Sequence, residues 1–219
     1  MKTLIVADIH FGDDRLYDLK QLYNLLLTES YDRLILNGDI VDLWITSWAD
    51  IIKSDFLKVI EIISNMRDVT WLIGNHDCDI IKNNISAFLP KVKIAEFFEM
   101  EEGGKKFLCL HGHQVYRNKE ESLVTQLVTK LNYFIWKYTG IDIQKIHIGA
   151  KYYLRYTDMK HRQLIKRFGG NDRVIISGHT HRTEHLVVGG TELFDIGAFI
   201  KNGNYAIIDN GKVEIRTIK

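Results

Sequence analysis

Five short apolar runs punctuate the chain: TLIVA (3–7), RLILN (33–37), VTWLI (69–73), KFLCL (106–110) and RVIIS (173–177). Each is continuous rather than alternating, the character of a strand buried on both faces. Helical periods lie between the first three. LYDLKQLYNLLLTE sets Leu16, Leu19, Leu22 and Leu26 on one face, and SDFLKVIEIISNM does the same with Phe56, Val59, Ile60 and Ile63. Alternation of strand and helix predicts a parallel sheet with helices against it. Beyond residue 177, strand-like stretches are broken by Gly189-Gly190, Asn202-Gly203 and Asn210-Gly211, which predicts a run of hairpins. Residues 114–168 carry no strong strand signal. There ESLVTQLVTKLNYFIWKY repeats Leu123, Leu127, Leu131, Phe134 and Tyr138 at helical spacing, the pattern of a helical insertion in an otherwise single domain, 1–219.

Composition narrows the setting. With 219 residues, 46% hydrophobic and 26% charged, the chain can bury one core and carry a modest appendage. Lys plus Arg number 29 against 28 for Asp plus Glu, so no global field recruits nucleic acid or an acidic membrane. Cys78 and Cys109 form no Cys-x-x-Cys pair and no disulfide framework, which fits a reducing compartment and two buried thiols. The apolar run in MKTLIVADIH is too short for a secretory leader, and no stretch reaches the roughly 18–20 apolar residues of a membrane span. A soluble cytoplasmic protein is expected.

The chemistry lies where the apolar runs stop. Asp8-x-His10 follows the first, Gly38-Asp39-x-x-Asp42 the second and Gly74-Asn75-His76-Asp77 the third; His111-Gly112-His113 and Gly178-His179-x-His181 follow the last two. The carboxyl ends of parallel strands share one edge, so the five clusters are expected to meet in one crevice. Carboxylates gathered there need cations between them. Asp, Asn and His without thiolate suit manganese, iron, cobalt or zinc, and suit calcium poorly because several ligands are imidazoles. The candidate ligands are too many for one ion, so two ions sharing a carboxylate are expected, an arrangement that clamps a phosphate ester and acidifies water.

In this order, D-x-H, G-D-x-x-D, G-N-H-D, H-G-H and G-H-T-H, the motifs resemble those of the calcineurin-like metallophosphoesterases over nearly the whole chain. The resemblance implies a four-layer α/β/β/α sandwich, here with a helical cap insertion at about 114–168. It implies that Asp8, His10 and His181 hold one metal ion, that Asn75, His111 and His179 hold the other, and that Asp39 bridges. It makes His76 a catalytic residue that hydrogen-bonds a phosphoryl oxygen or protonates the leaving oxygen, with Asp42 fixing its tautomer. Asp77 is expected to stabilise the loop. The implied reaction is in-line attack by metal-bound hydroxide, with no organic cofactor; neither a phosphate-binding G-x-x-x-x-G-K-[ST] loop nor a G-x-S-x-G elbow is present.

For the substrate, the layout with GDIVDLW at 38–44 is similar to the UDP-2,3-diacylglucosamine hydrolase branch, whose members cleave a nucleotide-linked pyrophosphate beneath a helical cap. That branch's lipid A enzymes carry Arg at the position of His76 and Asp at that of His113. The alternative is therefore a phosphomonoesterase or phosphodiesterase acting on a nucleotide, nucleic acid or phosphoprotein. The basic stretch Lys151, Arg155, Lys160, Arg162, Lys166, Arg167 reads as a solvated helix face or a phosphate-binding patch. The aromatic stripe at 133–138 reads as helix packing or as a lipid cradle with peripheral membrane contact through the cap. His147, His161 and His185 read as structural, Trp44 and Trp48 as rim or core packing, and His113 stands between a structural and a substrate-facing role. A non-catalytic scaffold would be marked by lost ligands, and none of the seven is missing.

Overall fold

A computed structural model describes residues 1–13, 19–77, 85–115, 122–141 and 150–218. Leu16, Cys78, His147 and the Lys151 side chain lie outside the described residues. All five apolar runs form strands: β1 (Thr3–Val6), β2 (Arg33–Asn37), β3 (Val69–Leu72), β6 (Lys105–Leu110) and β7 (Arg173–Ser177). They divide between two sheets. The first is ordered β11-β10-β1-β2-β3-β4, with β4 spanning Lys93–Ala95, β10 Asn204–Asp209 and β11 Lys212–Thr217. The second is ordered β5-β6-β7-β9-β8, with β5 spanning Phe97–Glu102, β8 Thr183–Val188 and β9 Thr191–Ile196. Strands β1 to β4 are mutually parallel, as are β6, β7 and β9, so the carboxyl ends of the motif-bearing strands share a direction within each sheet.

Strand alternation explains the layers. In β1, Leu4 and Val6 point to one core with Leu34, Leu36 and Trp71, where helix α1 (Leu19–Thr28) adds Leu22 and Leu26 and helix α3 (Phe56–Asn65) adds Phe56, Val59, Ile60 and Ile63. Ile5 and Ala7 point the other way, into a second core between the sheets with Phe107, Cys109, Val174 and Ile176. A third core seats Leu164 on Leu108, Leu110, Ile175 and Leu193, placing helix α6 (Ala150–Phe168) on the far face of the second sheet. The order is helix, sheet, sheet, helix: the α/β/β/α sandwich. Each fully buried Leu, Ile or Phe in these cores contributes about 1.5–3 kcal/mol of transfer free energy.

Two expectations are corrected. Gly189-Gly190 and Asn210-Gly211 do turn hairpins, β8 to β9 and β10 to β11, but Asn202-Gly203 ends a short helix, α7 (Phe199–Asn202), with Gly203 as its left-handed C-cap at φ 66°. Strands β4 and β5 were not among the runs; β5 is a sheet-edge strand whose FFEMEE alternates exposed and half-buried residues, so it lacks the apolar continuity of an interior strand. Short helices α2 (Trp48–Ile51) and α4 (Ile85–Phe88) complete the first half. In the 114–168 stretch, helix α5 (Leu123–Thr139) starts at Ser122, whose hydroxyl caps the Thr125 N–H, and stops at left-handed Gly140. Its buried residues are Thr129, Asn132 and Tyr133, whereas Leu123, Leu127, Leu131, Phe134 and Tyr138 all face outward; of the aromatic stripe at 133–138, Tyr133 packs inside and Phe134 and Tyr138 do not. Among the described residues no helix is long and apolar enough to cross a membrane.

Candidate metal centre

The first sheet delivers Asp8 and His10 after β1, Asp39 and Asp42 after β2, and Asn75 and His76 after β3; the second delivers His111 after β6, and His179 and His181 after β7. To turn these side chains inward the backbone takes an unusual course. Asp8, His10, Asp39, His179 and His181 all have φ between 48° and 72°, the left-handed region that L-residues avoid. Such strain, of order 1–3 kcal/mol per residue, persists only where surroundings impose it and concentrates at functional sites. Glycine supplies the remaining clearance. A Cβ on Gly38 would lie 2.5 Å from the His111 ring, and one on Gly74 would lie 2.1 Å from Asp39 Oδ1.

Two clusters result. Asp8, His10 and His181 form one, with His181 Nε2 3.1 Å from Asp8 Oδ1 and 3.2 Å from His10 Nε2. Asp39, His111 and His179 form the other, with His111 Nε2 3.1 Å from Asp39 Oδ2. The same Asp39 oxygen is 3.6 Å from His10 Nε2, so this carboxylate stands between the two groups. Asp39 Oδ1 accepts the His76 N–H at 2.8 Å, and Asp8 Oδ2 accepts the His179 N–H at 2.9 Å, fixing both acids. His111 Nδ1 donates to the Asn37 carbonyl at 3.0 Å, which leaves Nε2 as the atom that could hold a metal.

Burial opposes ionisation of Asp8 and Asp39, yet the surrounding imidazoles outweigh it and hold both carboxyls well below the usual carboxylate range. Burial likewise opposes charge on His111, but Asp39 and Asp8 push it up to about 9. This is a site that demands positive charge beside its carboxylates. Asn75 fits the same demand, because its Oδ1 is buried with no hydrogen-bond partner. An oxygen orphaned in this way, beside imidazoles and carboxylates, suits a divalent cation.

His76 lies outside the Asp8 and Asp39 clusters. Its Nδ1 lies 3.0 Å from Asp42 Oδ1, its ring stacks on Trp44 at 3.9 Å between centroids, and it meets His10 edge-on at 4.6 Å. A His10, Asp42, His76 grouping also has ligand atoms close enough to hold an ion; its Asp42 accepts the Trp44 N–H and lies between the two imidazoles. Asp77 stabilises the loop as expected: its carboxylate accepts from the Gly74 N–H, the Ile40 N–H and Trp71 Nε1, tying the β2 and β3 exits together.

The sequence matches the calcineurin-like phosphoesterase family over residues 1–183. The chain belongs to that family. It is a metal-dependent phosphoesterase with a metallophosphoesterase fold. Among curated relatives, a UDP-2,3-diacylglucosamine hydrolase of Shewanella halifaxensis is 22% identical, covering 98% of this chain and 97% of its own. Among solved structures, Yfce, a phosphoesterase from E. coli, superposes with a TM-score of 0.56 at 15% identity, over 100% of this chain and 97% of its own. Vps29 from Entamoeba histolytica gives a TM-score of 0.50 at 15% identity, over 100% and 98%. The structural likenesses concern the fold.

Two side chains lie closer to the site than the sequence alone suggests. Trp44 is buried, in keeping with rim or core packing, and also forms the stacking face of His76. Lys160 was counted in a basic patch, but it is fully buried, its Nζ 2.5 Å from His179 Nε2, and burial pushes its ammonium down to about 7. His161, read as structural, is buried with Nε2 2.9 Å from Asp195 Oδ2, which also accepts the Thr180 hydroxyl at 2.7 Å between the two histidines of the G-H-T-H loop. A signal did exist for Lys160 and His161. They neighbour Leu164 on α6 at helical spacing, which is the face that meets the sandwich. His185 stacks on Phe194 at the surface, and His113 is buried 5.6 Å from His111 between ring centroids.

Proposed function

We propose that this phosphoesterase holds two divalent cations, of which manganese fits the donor set best, and hydrolyses a phosphate ester or pyrophosphate between them. The observation that carries this reading is Asp39, one carboxylate set between two imidazole clusters. Asp8, His10 and His181 would hold one ion, Asn75, His111 and His179 the other, with Asp39 shared. When bound, such a pair neutralises phosphoryl oxygens and lowers the pKa of water toward neutrality. The residues around it do the rest. Asp42 Oδ1, 3.0 Å from His76 Nδ1, would orient the ring so that His76 can hydrogen-bond a phosphoryl oxygen or hand a proton to the leaving oxygen. Asp77 holds the strand exits rigid so that His76 stays in place.

For the substrate, whole-length similarity to UDP-2,3-diacylglucosamine hydrolases supports a nucleotide-linked pyrophosphate, with α5 and the start of α6 acting as the cap. His76, an acid–base group at the position where the lipid A enzymes of that branch carry Arg, favours the second reading, a phosphomonoester or phosphodiester. Hydrolysis of bis-p-nitrophenyl phosphate and of UDP-sugars with and without acyl chains, each with manganese, tests both. Release of UMP selective for the acylated sugar supports the first; preference for the simple diester supports the second. No turnover of any member with metal loaded overturns both.

A further inference from the structure

Helix α5 is built inside out for a helix of a water-soluble chain. Its buried positions include Thr129 and Asn132, while Val124, Leu127, Leu131, Phe134 and Tyr138 are exposed by 71, 68, 58, 43 and 81%. The spacing of these five is 3, 4, 3, 4, a strict heptad seam that runs to the end of the helix, and Ile141 is exposed just past the Gly140 cap. A seam of that register is the narrow stripe by which one helix packs on another in a coiled coil. Exposed apolar surface of more than a few hundred Å² marks a contact site.

We infer that this seam is the interface between two copies of the chain, packed as an antiparallel helix pair. The sequence is complementary to its own reverse. Antiparallel layers set Leu131 against Phe134 and Leu127 against Tyr138 of a second copy, an aliphatic side chain against an aromatic one in each layer. Leu123 and Val128 border the stripe, and with them the seam offers on the order of 800 Å² per copy, the share that one partner contributes to a stable interface of standard size. Lys130 and Lys137 are exposed and, seven residues apart, fall on one flank of the seam, with the Lys137 ammonium 5.5 Å from the Tyr133 ring centroid. A bilayer-lying helix would instead carry a wide apolar face with cations along both flanks.

Sedimentation equilibrium of the full, metal-loaded chain across the micromolar range tests the inference. A concentration-dependent dimer is expected. Leu127→Lys with Leu131→Lys should weaken it at least about a hundredfold, with the circular dichroism spectrum unchanged. Orientation has its own readout: a Leu127→Cys, Tyr138→Cys variant should cross-link on oxidation, whereas each single change should not. A monomer at every concentration would overturn the inference. So would a dimer insensitive to the lysine pair, or a monomer that binds phosphatidylglycerol vesicles through the same residues.

Discussion

The strand-end rim and the α5–α6 segment bury polar residues by opposite routes. On the rim, apolar strands run straight into Asp8, Asp39 and His111, which are as buried as the strands themselves because the chain bends inward through left-handed residues. In the α5–α6 segment the helices are regular, and what is unusual is the face they bury: Thr129 and Asn132 on α5, Thr157, Lys160 and His161 on α6. The hydrophobic pattern locates a buried element when its neighbours are apolar. It misleads when the element faces a polar crevice, because the inward face must then satisfy hydrogen bonds and charges. The rim should accordingly control metal and chemistry, while the inward face of the segment controls what binds.

The sharpest way to break that division is Asp39→Asn. It removes the one negative charge that both clusters share, so bound metal should fall and manganese-dependent hydrolysis of bis-p-nitrophenyl phosphate should drop by about three orders of magnitude or more. Metal analysis beside the rate separates the two effects. Chelation of the wild type should reproduce the loss and manganese should reverse it. Retention of full activity by the metal-stripped protein would end the dinuclear reading.

His76→Ala comes next. Loss of a positioned proton carrier is expected to lower kcat by about 10²–10³-fold with metal content unchanged, and Trp44, left without its stacking partner, gives a fluorescence change that reports the local response. A fall in bound metal would instead place His76 among the ligands, as its grouping with His10 and Asp42 permits. Asp77→Ala tests the frame rather than the chemistry. It strands the Ile40 and Gly74 amides and the Trp71 indole N–H in a buried position, so a stability loss of about 3–5 kcal/mol in urea unfolding is expected.

These predictions sit where the sequence was most readable, and the reason is physical. Buried parallel strands require continuous apolar runs, and their carboxyl ends must share an edge, so Asp8, His10, Asp39, Asn75, His111, His179 and His181 could be gathered from one dimension. What escaped was set by partners distant in sequence. Nothing around Trp44 announces that His76, thirty-two residues on, will lie on its face. The stripe Leu123, Leu127, Leu131 predicted a helix correctly, but periodicity gives a helix its apolar face without saying whether that face turns toward its own chain. Strand β5 was lost because a sheet edge permits Glu99, Glu101 and Glu102 in a strand.

The smallest effect probes the meeting of the two regions. Lys160 reaches from α6 to His179 Nε2, the atom proposed to bind metal, and an ammonium and a divalent cation cannot share it. With metal present the lysine must give way into the crevice, where the natural partner of its charge is a phosphoryl oxygen. Lys160→Met keeps most of the volume and removes the charge. If the inward face governs binding, KM should rise about tenfold, equivalent to about 1.4 kcal/mol, with kcat within about twofold and manganese content undiminished. Were metal content to fall with it, α6 would have to be counted among the elements that build the metal centre, and the separation between rim and segment would fail at Lys160.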